Sequence, residues 1–356
     1  LALVFEGEAR VSGAGAERLY SIVSENSETF LENRSKDRVT STRILRFSAQ
    51  TASLRGRQAF ERGDFDEALK NYTSAYEIRS ELAEDPNSPD DFALLASRDL
   101  MEIGKIHELQ SDYKNAVAAY SAALEWRSQV SGENGLFSLQ QVKELAATYK
   151  ALSRVHSLVK DTKSAIGTLN EILSILNRRI EDGKPSDVPG YAIEAVRVLL
   201  LLGEIEYTSG EIASASSTYQ DLMVLAKSLA TAPPSLAEEA DLAYLTALRF
   251  LGLIQLDQKQ PEAALILFRE EINIREEATR LRPYDAESKF TLTEAYAYAA
   301  KCLDLKIATS RTLAIFYLEQ ALALVEKLPA ELQSREEIQT KIAGMKASLA
   351  AIQAMK

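Results

Sequence analysis

The feature that most limits what this chain can fold into is a recurring alanine. Ala16, Ala68, Ala116, Ala165, Ala215, Ala264 and Ala314 follow one another at intervals of 52, 48, 49, 50, 49 and 50 residues. The surroundings repeat with it. Gly63-Asp64-Phe65-Asp66-Glu67-Ala68-Leu69-Lys70-Asn71-Tyr72 returns as Ser111-Asp112-Tyr113-Lys114-Asn115-Ala116-Val117-Ala118-Ala119-Tyr120. A fixed period of this size means an array of like units, each burying its apolar face on its neighbours.

Fixed offsets from the alanine carry fixed residue types. Four residues later stand Tyr20, Tyr72, Tyr120, Leu169, Tyr219, Phe268 and Leu318, and seven later Val23, Ala75, Ala123, Ile172, Leu222, Glu271 and Ala321. Glu271 is the exception in its row. Twelve earlier stand Val4, Gly56, Gly104, Ser153, Gly203, Gly252 and Cys302. Positions i, i+4 and i+7 share one helix face, so the alanine, the large residue and the small one form a packing stripe. A glycine inside a helix costs roughly 1 kcal/mol against alanine, and its recurrence predicts close approach by the facing helix.

Helix breakers recur at the same interval: Asp85-Pro86-Asn87-Ser88-Pro89, Ser131-Gly132-Glu133-Asn134-Gly135, Asp182-Gly183-Lys184-Pro185, Ala232-Pro233-Pro234-Ser235, Arg282-Pro283 and Leu328-Pro329. Shorter turns fall between them, at Arg62-Gly63-Asp64, Gln110-Ser111-Asp112, Lys160-Asp161, Ser209-Gly210 and Lys259-Gln260-Pro261. Each unit therefore reads as helix A, a tight turn and helix B. The predicted boundaries are a truncated first pair over 1–37, then units over 38–85, 86–132, 133–184, 185–233, 234–283 and 284–329. Residues 330–356 follow as an amphipathic capping helix carrying Ile338, Ile342, Met345, Leu349 and Ile352, which a solenoid needs to cover its last apolar face.

Leu199-x2-Leu202-Gly203-x2-Glu206 with Ala215-x3-Tyr219, Leu248-x2-Leu251-Gly252-x2-Gln255 with Ala264-x3-Phe268, and Leu100-x2-Ile103-Gly104-x2-His107 with Ala116-x3-Tyr120 resemble the tetratricopeptide repeat. Its helix A reads roughly W-x2-L-G-x2-Y and its helix B A-x3-F. The resemblance implies an all-α fold, a right-handed superhelix of antiparallel helix pairs. The period departs from the family's usual 34 residues, so both helices are expected to be longer by one to two turns. Long-period arrays of this kind are similar to those of large bacterial multidomain signalling proteins.

In the family, exposed residues of helix A line a concave groove. The corresponding places lie 18, 15 and 11 residues before each alanine: Gln50, Ser53, Arg57; Arg98, Met101, Lys105; Ala147, Lys150, Arg154; Arg197, Leu200, Glu204; Thr246, Arg249, Leu253. Seven of the fifteen are basic and one is acidic, in a chain of net charge −11. The expectation is a partner-binding groove of Arg57, Arg98, Met101, Lys105, Lys150, Arg154, Arg197 and Arg249, suited to a protein or acidic peptide. The asparagines of the family's carboxylate clamp are missing. Against this stands a solvated helix face with local pairs such as Arg98 with Glu102, each of little worth.

Composition narrows the function classes. The net acidity argues against a general nucleic-acid binder. Cys302 is the single cysteine, which excludes an internal disulfide and a cysteine metal cage and fits a reducing, cytoplasmic setting. No run approaches the ~20 apolar residues of a membrane span, and the start Leu1-Ala2-Leu3-Val4-Phe5 does not read as a signal peptide. No catalytic constellation, metal cluster or cofactor motif stands out: Ser12-Gly13-Ala14-Gly15-Ala16 lacks the ending of a phosphate loop. His107 and His156, nine before their alanines, read as filling a slot between helices, and Trp126 as filler between units. The expected function is a protein-interaction scaffold without enzymatic activity or cofactor. The alternative is a regulatory, sensor or self-associating region of a larger protein whose N-terminal effector domain (TIR-like, caspase-like or kinase) lies upstream, with homo-oligomer contacts through the terminal repeats.

Overall fold

The computed structural model describes residues 38–84, 91–130 and 137–355. The expected first pair with Ala16, Tyr20 and Val23, and the breakers at 85–89 and 131–135, lie outside them. Helix A of the first described pair, α1 (Arg38–Glu61), is followed by its helix B, α2 (Phe65–Ala83). Further pairs are α3 (Asp91–Leu109) with α4 (Tyr113–Gln129), α5 (Leu139–Leu158) with α6 (Thr162–Asp182), α7 (Val188–Thr208) with α8 (Ile212–Ser228), α9 (Pro234–Asp257) with α10 (Pro261–Leu281), and α11 (Ala286–Lys301) with α12 (Ala308–Val325). A single turn, α13 (Ala330–Gln333), leads to the closing helix α14 (Glu336–Gln353). No strand occurs among the described residues.

Two units separate by packing, Leu1–Ile175 and Leu176–Lys356, the division falling inside α6. Within each, helices pack on their chain neighbours in order, α1 on α2, α2 on α3, α3 on α4 and α4 on α5 in the first unit, and α7 through α12 likewise in the second. α14 packs on α12 and closes the second unit.

The turn inside a pair is built the same way five times. Gly63, Ser111, Lys160, Gly210 and Lys259, each five residues before the recurring alanine, have φ between 60° and 87°. The next residue's amide reaches back five residues, Asp64 to Ala59, Asp112 to His107, Asp161 to His156, Glu211 to Glu206 and Gln260 to Gln255. The left-handed residue's own amide reaches back three. This is the Schellman ending, which satisfies carbonyls that helix A leaves unpaired. Glycine adopts the conformation freely; Ser111, Lys160 and Lys259 adopt it at a cost. Helix B then starts on a cap: the carboxylates of Asp64, Asp112 and Asp161 accept from the amides of Glu67, Asn115 and Ser164.

The packing stripe explains the glycines. A Cβ placed on Gly104 would lie 2.5 Å from the ring of Tyr120; on Gly203, 2.8 Å from Tyr219; on Gly252, 2.7 Å from Phe268; on Gly56, 3.0 Å from Tyr72. The ring four residues after the alanine thus lies on the bare backbone of its own helix A. Ser153 and Cys302 take the glycine's place where the partner is Leu169 or Leu318. Every one of the six described pairs matches a bare backbone to a ring or a small side chain to a leucine, so the two rows conserve volume between them. Cys302 is buried and donates from Sγ to the Tyr298 carbonyl, 3.3 Å, and burial pushes its thiol up to about 11. Trp126 packs against the buried cluster of the first unit. His107 and His156 are largely buried beside the turns, their Nδ1 atoms 3.4 and 3.7 Å from the capping carboxylates of Asp112 and Asp161.

Candidate interaction surface

Burial separates the A helices into two kinds of polar surface. Among the buried polar groups is an arginine eleven residues after the alanine: Arg79, Arg127 and Arg275. From helix B each reaches the next helix A. Arg79 meets Asp99 at 2.5 Å, with Ser53 joining both. Arg127 donates to Ser97 at 3.0 Å and to Thr148 and the Glu144 carbonyl. Arg275 donates to Glu271 at 2.7 Å and to Thr291 at 2.9 Å. Burial pushes Asp99 up to about 6 despite the guanidinium beside it, and pulls Arg127 down to about 10. These are bolts between pairs. The period could have shown the arginine row, although its partners occupy several different positions.

The predicted groove residues lie on the A helices. In the first unit Arg98 pairs with Glu144 at 2.6 Å and Arg154 with Glu108 at 2.7 Å. Both pairs join one helix A to the next, instead of the local pair with Glu102 that helix spacing suggested. The arginine side chains remain 53% and 55% exposed. Burial works against the Glu144 carboxylate, but hydrogen bonds from Arg98 and Gln140 outweigh it and hold its pKa below the ordinary value. Exposed Arg57 donates toward the Tyr72 hydroxyl, whose pKa burial pushes up to about 12. Lys105 Nζ lies 4.6 Å from the Phe60 ring centroid. Lys150 is half-buried on α5, and Met101 packs into the clusters on both sides of α3.

In the second unit the corresponding arginines are held by acids. Arg249, 16% exposed, donates to Glu271 at 2.8 Å and to Glu294 at 2.7 Å. Glu271 is fully buried and is shared with Arg275. The exception in the small-residue row is therefore the carboxylate that two guanidiniums require. Arg197 bonds Glu239 at 2.6 Å and buried Glu194. Beside these, rings cover the A helices. Phe250 stacks on Tyr219 with centroids 4.9 Å apart and meets Tyr207 edge-on at 5.3 Å; Tyr298 stacks on Phe268 at 5.4 Å.

Among the described residues no helix is long and apolar enough to cross a membrane, and no three or more His, Cys, Asp or Glu side chains gather where a metal could bind.

The sequence matches no protein-family model and none of the curated proteins. Solved structures are similar to it in fold. BtubC from P. vanneervenii is 12% identical over 76% of this chain and 93% of its own, with a TM-score of 0.51. The S. pombe nuclear import adaptor Nro1 is 12% identical over 85% of this chain and 99% of its own, with a TM-score of 0.52. YrrB, a tetratricopeptide-repeat protein with an unusual peptide-binding site, superposes more loosely: 16% identity, 70% and 93% coverage and a TM-score of 0.38. With its consecutive A–B pairs, Schellman turns and ring-on-glycine packing, the chain has the tetratricopeptide-type helical-repeat fold.

Proposed function

We propose that the chain is a protein-interaction scaffold whose first unit takes an acidic segment of a partner across α3 and α5. One observation carries this reading. The cations of that face, Arg98 and Arg154, are more than half exposed and pair with Glu144 and Glu108 of the neighbouring A helix, Arg154 also meeting the Tyr120 hydroxyl. Ion pairs with so exposed a cation are worth about 0–1 kcal/mol, so a partner's carboxylates can compete for the arginines with Glu144 and Glu108, whose own side chains are 14% and 17% exposed. Arg57, Lys105 and Lys150 extend the positive field, and Met101 offers a soft apolar contact between them. Arg197 and Arg249 belong to the same set, but each is held by two carboxylates, Arg197 by buried Glu194 with Glu239 and Arg249 by buried Glu271 with Glu294, and in this reading they brace the second unit. An adaptor role is one this fold serves in Nro1.

The test is fluorescence anisotropy with a labelled peptide of alternating Glu and Ala at low salt. Reversing Arg98, Lys150 and Arg154 to Glu should weaken binding by roughly tenfold or more while circular dichroism stays helical. Binding that survives the triple reversal rejects the assigned face.

A further inference from the structure

The second unit holds a cavity of about 420 Å³ between α11, α12 and the closing helix α14. That size falls in the ~300–1,000 Å³ range of small-molecule and side-chain sites. Phe290 and Tyr298 of α11, Leu318 and Val325 of α12, and Ile342 and Met345 of α14 form its walls. The repeat explains why the space exists. Val325 stands eleven residues after Ala314, a place from which Arg79, Arg127 and Arg275 cross to the next helix A in three pairs and which Leu176 and Ala226 fill in two others. Valine cannot span that gap. Leu318 likewise stands where four other pairs carry a ring, and Gly344 presents bare backbone from α14.

The rim is charged on one side. Lys341 is held by Glu294 and Glu337 at 2.7 and 2.8 Å. Lys301 is exposed, lies 5.1 Å over the Tyr298 ring centroid, and has no carboxylate partner among the described residues. An apolar hollow beside a cation without a carboxylate is complementary to an apolar group carrying a negative charge. The α11 wall belongs to the helix A of the last pair. We propose that this cavity anchors one large apolar side chain of the partner, with an adjacent carboxylate on Lys301. This rests on the reading of the chain as a binder of acidic protein segments.

The experiment uses the full chain with labelled isoleucine and methionine methyls and N-acetyl-tryptophan as the probe. Millimolar probe should shift the Ile342 and Met345 methyls saturably. The neutral N-acetyl-tryptophanamide should bind roughly threefold more weakly, the worth of one exposed charge pair. Lys301→Ala should make the two probes equal. Gly344→Phe should abolish both while circular dichroism stays helical, a Cβ there meeting nothing within 4 Å. No saturable shift at these methyls, equal binding of the two probes to the unaltered chain, or saturation by dodecanoate without saturation by the tryptophan probe would each overturn the proposal. Probe binding that persists while the acidic peptide fails removes the basic-face reading alone; the converse removes this anchor alone.

Discussion

The two units solve the same problem with different chemistry. In the first, Arg98 and Arg154 tie successive A helices by pairs that water still reaches; in the second, Arg249 and Arg275 close on Glu271, which water does not reach. Arg98 and Arg249 fall within three places of one another in the repeat, yet burial gives them different work. An exposed pair contributes little and exchanges readily, whereas a buried one leaves an uncompensated charge when either side is removed. In the proposed reading the first surface is available to a partner and the second holds its helices.

The largest effect should come from Glu271→Ala. It restores the small residue that Ala75, Ala123 and Ala321 supply elsewhere, so row consensus predicts a gain. The buried network predicts a loss of about 3–5 kcal/mol, recovered when Arg249 and Arg275 are also made methionine. Urea denaturation decides between the two.

Arg79→Met should cost a similar amount at neutral pH, because Asp99 is left buried without its cation. Its pH dependence adds a second reading. The Asp99 pKa is raised from 3.8 to about 6 in the folded chain. The folded form then binds the proton more tightly, so the stability this group contributes is full below pH 4 and lost as pH rises through 6. Removing Arg79 raises the carboxyl further, and the deficit of the variant should be smaller at pH 5 than at pH 7. A deficit independent of pH would mean that Asp99 is not the group left unpaired.

Gly104→Ala should cost about 1–3 kcal/mol, since its Cβ would press on the Tyr120 ring. Adding Tyr120→Leu should return part of it, following Ser153 with Leu169 and Cys302 with Leu318. Thermal melts of the single and double variants test the volume match. A smaller and opposite change is expected at the turn: Lys160→Gly frees a left-handed residue at φ 64° and should stabilise by about 0.5–1 kcal/mol.

Much of the fold was legible because it depends on contacts local to one pair. Ala68, Tyr72 and Gly56 lie within one hairpin, so their spacing alone reports that they meet. The turns were legible for the same reason, with Gly63 and Gly210 marking the left-handed place that Ser111, Lys160 and Lys259 also occupy. Contacts between pairs were not. Arg98 finds Glu144 rather than Glu102 because neighbouring A helices lie side by side, and no spacing rule within one helix contains that geometry. The arginines of the groove were visible as a charge pattern; which of them are buried by Glu271, Glu294 and Glu194 was not. The cavity was invisible because it is a volume left unfilled, set by Val325 and Leu318 against α14.

Double-mutant cycles on Arg98–Glu144 and Arg249–Glu271 compare the two units in one quantity. The coupling of the first pair should be below about 1 kcal/mol and vanish in molar salt. That of the second should be several kcal/mol and hold in salt. Equal couplings, or a strong one for Arg98–Glu144, would contradict the division between a surface that binds and a surface that braces.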